Sequence, residues 1–200
     1  MPELRPRALL LDMDGTLTRP MLDFAAIRQE IGLGPGRHIL ESIAAMEPPH
    51  REIAQAILAR HEEEAAAGSS LNPGCPELLA WARQHQLATA LITRNTRKSI
   101  DALLRRHTLS FDLLLGREDG PFKPNPYPLL RACAELMVAP ETAWMIGDGS
   151  HDIEAAAAAG IRGVWVSHRQ QRPFAAEPWR TVVDLQELLG LLQECAAEGF

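Results

Sequence analysis

Short apolar runs, spaced along the chain, constrain its fold more than any other feature. Ala8–Leu11, Leu87–Ile92, Ala143–Ile146 and Gly163–Val166 are apolar without alternation, save for Thr89, and Phe111–Leu115 is a weaker fifth run. An alternating pattern would mark strands wetted on one face. Continuous runs mark strands buried on both faces of a parallel sheet. Between the runs lie stretches with helical spacing, at about 75–86, 96–107, 126–138, 150–159 and 184–196. Strands alternating with helices predict an α/β, doubly wound parallel sheet. An all-helical reading fails because the runs are short, β-rich and bounded by Gly, Pro and Asp.

Residues 19–71 interrupt the alternation. They hold no strand-like run. Leu22–Ile31 and Arg51–Ala67 have helical spacing, and Gly32, Gly34, Pro35 and Gly36 form a loop between them. Gly68-Ser69-Ser70 and Asn72-Pro73-Gly74 make a flexible and then turn-forming boundary. The expected organisation is a sheet domain, 1–18 and 72–200, with a small inserted α-helical cap, 19–71. Glu62-Glu63-Glu64, followed by three alanines, reads as a solvated helix face.

A chain of 200 residues, 46% hydrophobic and 23% charged, can bury a core without staples. Its net charge of −6 argues against a nucleic-acid or anionic-membrane partner. No apolar run approaches the roughly 18 residues of a membrane span. The polar start, residues 1–7, and the acids at Asp12 and Asp14 leave no room for a secretory leader. Cys75, Cys133 and Cys195 are odd in number and far apart, which fits a reducing cytoplasm. Oligomeric state leaves no readable trace in the sequence.

The chemistry-bearing residues gather at the ends of the apolar runs, where ligands bind in open α/β sheets. The first run ends in Asp12-Met13-Asp14-Gly15-Thr16. Two acids so close raise one another's pKa unless a cation intervenes. Mg²⁺ suits such oxygen ligands, and a carboxylate can attack phosphorus. The alternative is a capped turn at Asp14-Gly15. The run at 143–146 leads into Gly147-Asp148-Gly149-Ser150-His151-Asp152. There Asp148 and Asp152 either share one face of a helix start or simply cap it. Thr93, followed by Arg94 and Asn95, is either an N-cap or a ligand for phosphoryl oxygen. Lys123, between Phe122 and Pro124-Asn125-Pro126, is either a solvated charge or a cation held by a rigid loop beside an anion.

Asp-x-Asp, Thr, Lys and Gly-Asp-x-x-x-Asp in this order resemble the haloacid dehalogenase-like hydrolase superfamily. The match falls at Asp12/Asp14, Thr93, Lys123 and Asp148/Asp152, with Asn72–Leu79 similar to the family's turn and helix after the cap. Within it the chain looks most like the phosphoglycolate phosphatase group, with a shorter cap. The resemblance implies a Rossmann-like sheet and a Mg²⁺-dependent phosphatase acting on a small phosphorylated metabolite. It makes Asp12 the nucleophile and Asp14 the acid–base group. Asp12, the Asp14 main-chain carbonyl and Asp148 would hold Mg²⁺. Thr93, Arg94, Asn95 and Lys123 would face the substrate, with Asp152, Gly147 and Gly15 in support. The family's dehalogenases lack the second acid, so Asp14 argues against dehalogenation. A phosphomutase of the same family and a non-catalytic phosphate-binding scaffold stay open as alternatives. The glycine-rich loop 32–38 is expected to close over the leaving group. Arg37 at its end is either a solvated charge or a guanidinium that pairs with an anionic group on the substrate.

Overall fold

The computed structural model describes residues 5–171 and 174–197. The polar start expected at residues 1–7 therefore lies partly outside the described residues. Six strands form one parallel sheet: β1 (Ala8–Leu11), β2 (Ala88–Ile92), β3 (Leu113–Leu115), β4 (Ala143–Gly147), β5 (Arg162–Val166) and β6 (Arg180–Val182). Their order is β3-β2-β1-β4-β5-β6, and every pairing is parallel. This is the doubly wound α/β arrangement that the apolar runs require.

Among the described residues eight α-helices accompany the strands: α1 (Phe24–Ile31), α2 (Ile39–Ala44), α3 (Pro48–Gly68), α4 (Cys75–Gln84), α5 (Arg97–His107), α6 (Tyr127–Glu135), α7 (Ser150–Ala159) and α8 (Leu185–Ala197). The strand side chains divide between two layers as the period of two demands. Leu9, Leu11, Leu91, Trp144 and Ile146 point to one face and join Leu78 of α4, Ile100 of α5 and Leu188 of α8. Ala8, Leu10, Ala90, Ile92 and Met145 point to the other, against Leu129 of α6 and Ala155 of α7. Burial on both sides explains why the central runs are continuously apolar.

Helices α1, α2 and α3 carry a cluster of their own: Ile27, Ile39, Ile43, Ala54 and Leu58. Their entry is set locally. Asp23 caps α1, its side chain accepting from the N–H groups of Ala25 and Ala26, so the helix begins at Phe24 rather than at Leu22. Elsewhere α6 stops at Glu135, short of the expected 138, where Met137 takes a left-handed φ of 55°. The strand β6 has no counterpart among the apolar runs. It is a three-residue edge strand with Arg180 and Thr181 exposed, so burial imposes no pattern on it. The acidic run is not uniformly solvated as expected. Glu63 and Glu64 face outward to differing degrees, but Glu62 is only 3% exposed.

Candidate active site

The chain runs outward from β1 to β2 and β3, then returns to β4 beside β1. Ligands bind where the strand order reverses, beyond the carboxyl ends of the strands. The loops leaving β1, β2 and β4 converge there on a cavity of about 350 Å³, lined by Asp12, Asp14, Thr93, Asn95, Asp148 and His151. Residues of α1, α2, α3 and the connecting loop cover it, among them Phe24, Gly36, Arg37, Ile39 and Leu58. The sequence-predicted site residues therefore come together, from segments as much as 140 residues apart in the chain.

Lys123 sits at the centre of the charge arrangement. It is 1% exposed, with its ammonium 2.7 Å from Asp12 Oδ1, 2.7 Å from the Ile92 carbonyl and 2.6 Å from Asp152 Oδ1. Burial disfavours its charge, but Asp12 and Asp152 outweigh that and raise its pKa. Burial also opposes the charge of Asp152. His151, Lys123 and the Gly149 N–H nonetheless hold its carboxyl below the usual range. Asp12 moves the other way: burial raises it, Lys123 opposes the rise, and the neighbouring Asp152 adds to it.

Asp14 is held by a different partner. Asn95 Nδ2 donates to its Oδ2 at 2.5 Å. Burial first, and the charge of Asp12 second, push its carboxyl up to about 6. Asn95 thus fixes Asp14 instead of pointing only at substrate space. Arg94 lines the cavity but is engaged by the covering helices, donating to Glu41 Oε1 of α2 at 2.7 Å while lying over the Phe122 ring. Thr93 is buried at the end of β2, and its hydroxyl accepts from the Asn95 N–H.

The supporting residues act through space. Gly15 has φ +77°, and a Cβ there would lie 2.3 Å from Asp148 Oδ2, so only glycine lets the two loops approach. A Cβ on Gly147 would lie 2.2 Å from Asp152 Oδ2, which accepts from the Gly149 N–H at 3.0 Å. Asn72 and His168 also hold the first loop. Asn72 Nδ2 donates to the carbonyls of Gly15, Thr16 and Thr18. His168 Nε2 lies 2.6 Å from the Gly15 carbonyl, a partner that can only accept, so this nitrogen carries the proton. Sequence reasoning took Asn72 for a turn residue and passed over His168. The position of His168 just past the end of β5 was the available signal.

The donor set fits a hard cation. Asp12, Asp14 and Asp148 line the same cavity and offer oxygen ligands of the kind Mg²⁺ prefers. Asp12, His151 and Asp152 also lie close enough to share an ion. In that grouping the Lys123 ammonium already contacts both carboxylates, so the ion's place is taken by a fixed charge.

A parallel sheet presenting clustered carboxylates at its switch point, beneath a helical cover, is the architecture of a capped α/β hydrolase. The chain belongs to the haloacid dehalogenase-like hydrolase family, whose model matches residues 25–166. It is 36% identical over 160 residues to a haloacid dehalogenase-like hydrolase domain-containing protein of Arabidopsis thaliana, a match spanning 74% of this chain and 65% of that one. It is 29% identical to a phosphoglycolate phosphatase of Pseudomonas putida, over 98% of this chain and 82% of the relative. It is 30% identical to an N-acetylmuramic acid 6-phosphate phosphatase of Pseudomonas aeruginosa, over 86% and 87% respectively. Among solved structures, a hydrolase from Pseudomonas syringae shares the fold with a TM-score of 0.80 at 20% identity, covering 94% of this chain and 98% of that one. Among the described residues no helix is long and apolar enough to cross a membrane.

Proposed function

We propose that this chain is a Mg²⁺-dependent phosphatase that hydrolyses a small phosphorylated metabolite through an aspartyl-phosphate on Asp12. One observation carries the reading. The two acids of the first loop are held by different partners, Asp12 by the Lys123 ammonium and Asp14 by the Asn95 amide. Adjacent carboxylates in unlike environments take unlike roles. Asp12, fixed against a cation, is positioned to attack phosphorus. Asp14, with its carboxyl raised to about 6, is suited to hold a proton near neutral pH.

In the first step an Asp12 oxygen forms a bond to phosphorus, and the bond from phosphorus to the leaving oxygen breaks. Asp14 gives its proton to that oxygen. In the second step Asp14 takes a proton from water, which attacks phosphorus and releases Asp12 and inorganic phosphate. The Thr93 hydroxyl would hold a phosphoryl oxygen, and Lys123, whose ammonium is engaged by Asp12, Asp152 and the Ile92 carbonyl, would offset charge on the carboxylates around it. Asp12, the Asp14 main-chain carbonyl and Asp148 would bind Mg²⁺, which supplies charge neutralisation for the phosphoryl group. The cavity suits a compact monoester. The phosphatase relatives support the reaction class, and the uncoupled cysteine positions fit action in the cytoplasm.

Phosphate release from a panel of phosphorylated metabolites, with Mg²⁺ or with EDTA, tests the reading. Release should require Mg²⁺ and vanish in Asp12→Asn. Full activity in a folded Asp12→Asn protein, or in rigorously chelated buffer, would refute it.

A further inference from the structure

The cavity has two unlike halves. At the strand ends it is built of carboxylates, Thr93 and Asn95. On the covering side its wall is apolar, made by Met21, Leu22, Phe24, Ile39, Leu40 and Leu58. Glu62 of α3 is set into that wall, and it is 3% exposed. Its Oε1 pairs with Arg117, from the turn that follows β3. Its Oε2 is buried and makes no hydrogen bond, and neither does the buried Nε of its partner Arg117. A buried carboxylate oxygen without a donor is costly, and native structures rarely tolerate one without a purpose. Burial raises the carboxyl to about 7 in spite of Arg117 and the Thr96 N–H, the behaviour of an anion short of partners.

The cations around the same cavity do not offset this acid for an incoming anion. Arg28 donates to the main-chain carbonyls of Phe24 and Arg37, and Arg94 pairs with Glu41, although its Nε is buried without a partner. Arg37 and His38 lie exposed at the rim, beyond the buried wall. The interior that receives the leaving group therefore holds a buried acceptor, beside a guanidinium whose charge Glu41 already balances.

We propose that Glu62 determines specificity: its buried carboxylate accepts a hydrogen bond from a hydroxyl on the leaving alcohol, selecting phosphomonoesters of polyhydroxylated alcohols over those whose leaving group carries a carboxylate. The proposal rests on the phosphatase reading above and names the substrate class of that site. A site built to accept a hydroxyl proton discriminates strongly, because a substrate lacking the hydroxyl leaves the buried oxygen bare. Above about pH 7, where Glu62 is ionised, a carboxylate on the leaving group would meet it as a like charge.

The test compares kcat/KM for glycerol 3-phosphate, 2-phosphoglycolate and para-nitrophenyl phosphate, each with Mg²⁺, in the wild type, Glu62→Gln and Glu62→Ala. The wild type should prefer glycerol 3-phosphate to 2-phosphoglycolate. In Glu62→Ala the ratio of glycerol 3-phosphate to para-nitrophenyl phosphate should fall roughly 10- to 100-fold, the worth of one hydrogen bond to a charged group, chiefly through KM. Glu62→Gln keeps an acceptor oxygen and should recover part of that loss. In both variants 2-phosphoglycolate should gain on glycerol 3-phosphate. If Glu62→Ala fails to fold, the isosteric Glu62→Gln carries the comparison. Wild-type preference for 2-phosphoglycolate, or equal loss on all three substrates, would overturn the proposal and leave Glu62 as a strut for Arg117. Release of phosphate from none of the three would overturn the phosphatase reading together with it.

Discussion

Lys123 shows how much of this site depends on one side chain. Its ammonium contacts Asp12 and Asp152, both buried. Lys123→Met would keep the length of the side chain but leave two carboxylates facing each other without a cation. Breaking a buried ion pair in this way costs about 3–5 kcal/mol. Urea unfolding should show a loss of that order, with turnover abolished; an unchanged midpoint would mean that the two acids relax apart. Asp14→Asn should behave differently, since it removes proton transfer and not charge balance. It should lower kcat about 10²- to 10⁴-fold on alkyl phosphates. Para-nitrophenyl phosphate, whose leaving group needs little protonation, should suffer less. Equal loss on both substrates would restrict Asp14 to a metal or structural role. Asp12 and Asp14 were legible in the sequence because they stand at the end of a buried run, and Lys123 because prolines fix its loop and it falls in order among the family's motifs. Glu62 was not. Three consecutive acids carry no mark of which one turns inward, and that depends on how α3 seats against its neighbours.

Among the elements, the central strands were legible because burial on both faces forces apolar side chains at all their positions but Thr89. The edge strand β6 and the six-residue α2 escaped, since neither is long enough or buried enough to impose a period. Loop meetings were equally hidden. Nothing in the text around Asn72 or His168 says that both close on the carbonyl of Gly15. The approach of the loops after β1 and β4 can be tested at that glycine. Gly15→Ala would force a side chain into the left-handed region and push its Cβ against the Asp148 carboxylate. Strain of this kind costs on the order of 1–3 kcal/mol. Mg²⁺ affinity, measured by titration calorimetry, should fall together with activity. Wild-type Mg²⁺ affinity in Gly15→Ala would show that Asp148 is not a ligand.

For the whole molecule, ligand and proton binding must appear as stability. Mg²⁺ that binds only the folded site should raise the melting temperature, the stabilisation being about 2.7 kcal/mol at a concentration a hundredfold above its Kd. Asp148→Ala should abolish that gain, and a gain that persists would place the ion elsewhere. Protons offer a separate readout through Glu62. The charged and polar groups facing it are Arg117 from the turn after β3, Asp14 from the loop after β1 and the Thr96 N–H at the start of α5. Burial is the largest influence, and it lifts the folded carboxyl from an ordinary 4.5 to about 7. Between these values the unfolded chain has released its proton while the folded chain still holds one. Folding then takes up a proton, so the contribution of Glu62 to stability falls as pH rises through this window and stays lost above it. Glu62→Gln cannot ionise and lacks this slope. Thermal unfolding of both proteins without Mg²⁺, from pH 5 to 7.5, should show the melting temperature of Glu62→Gln gaining on the wild type as pH rises. Melting curves that stay parallel across the range would show that Glu62 keeps one protonation state throughout, with Arg117 strong enough to hold it ionised.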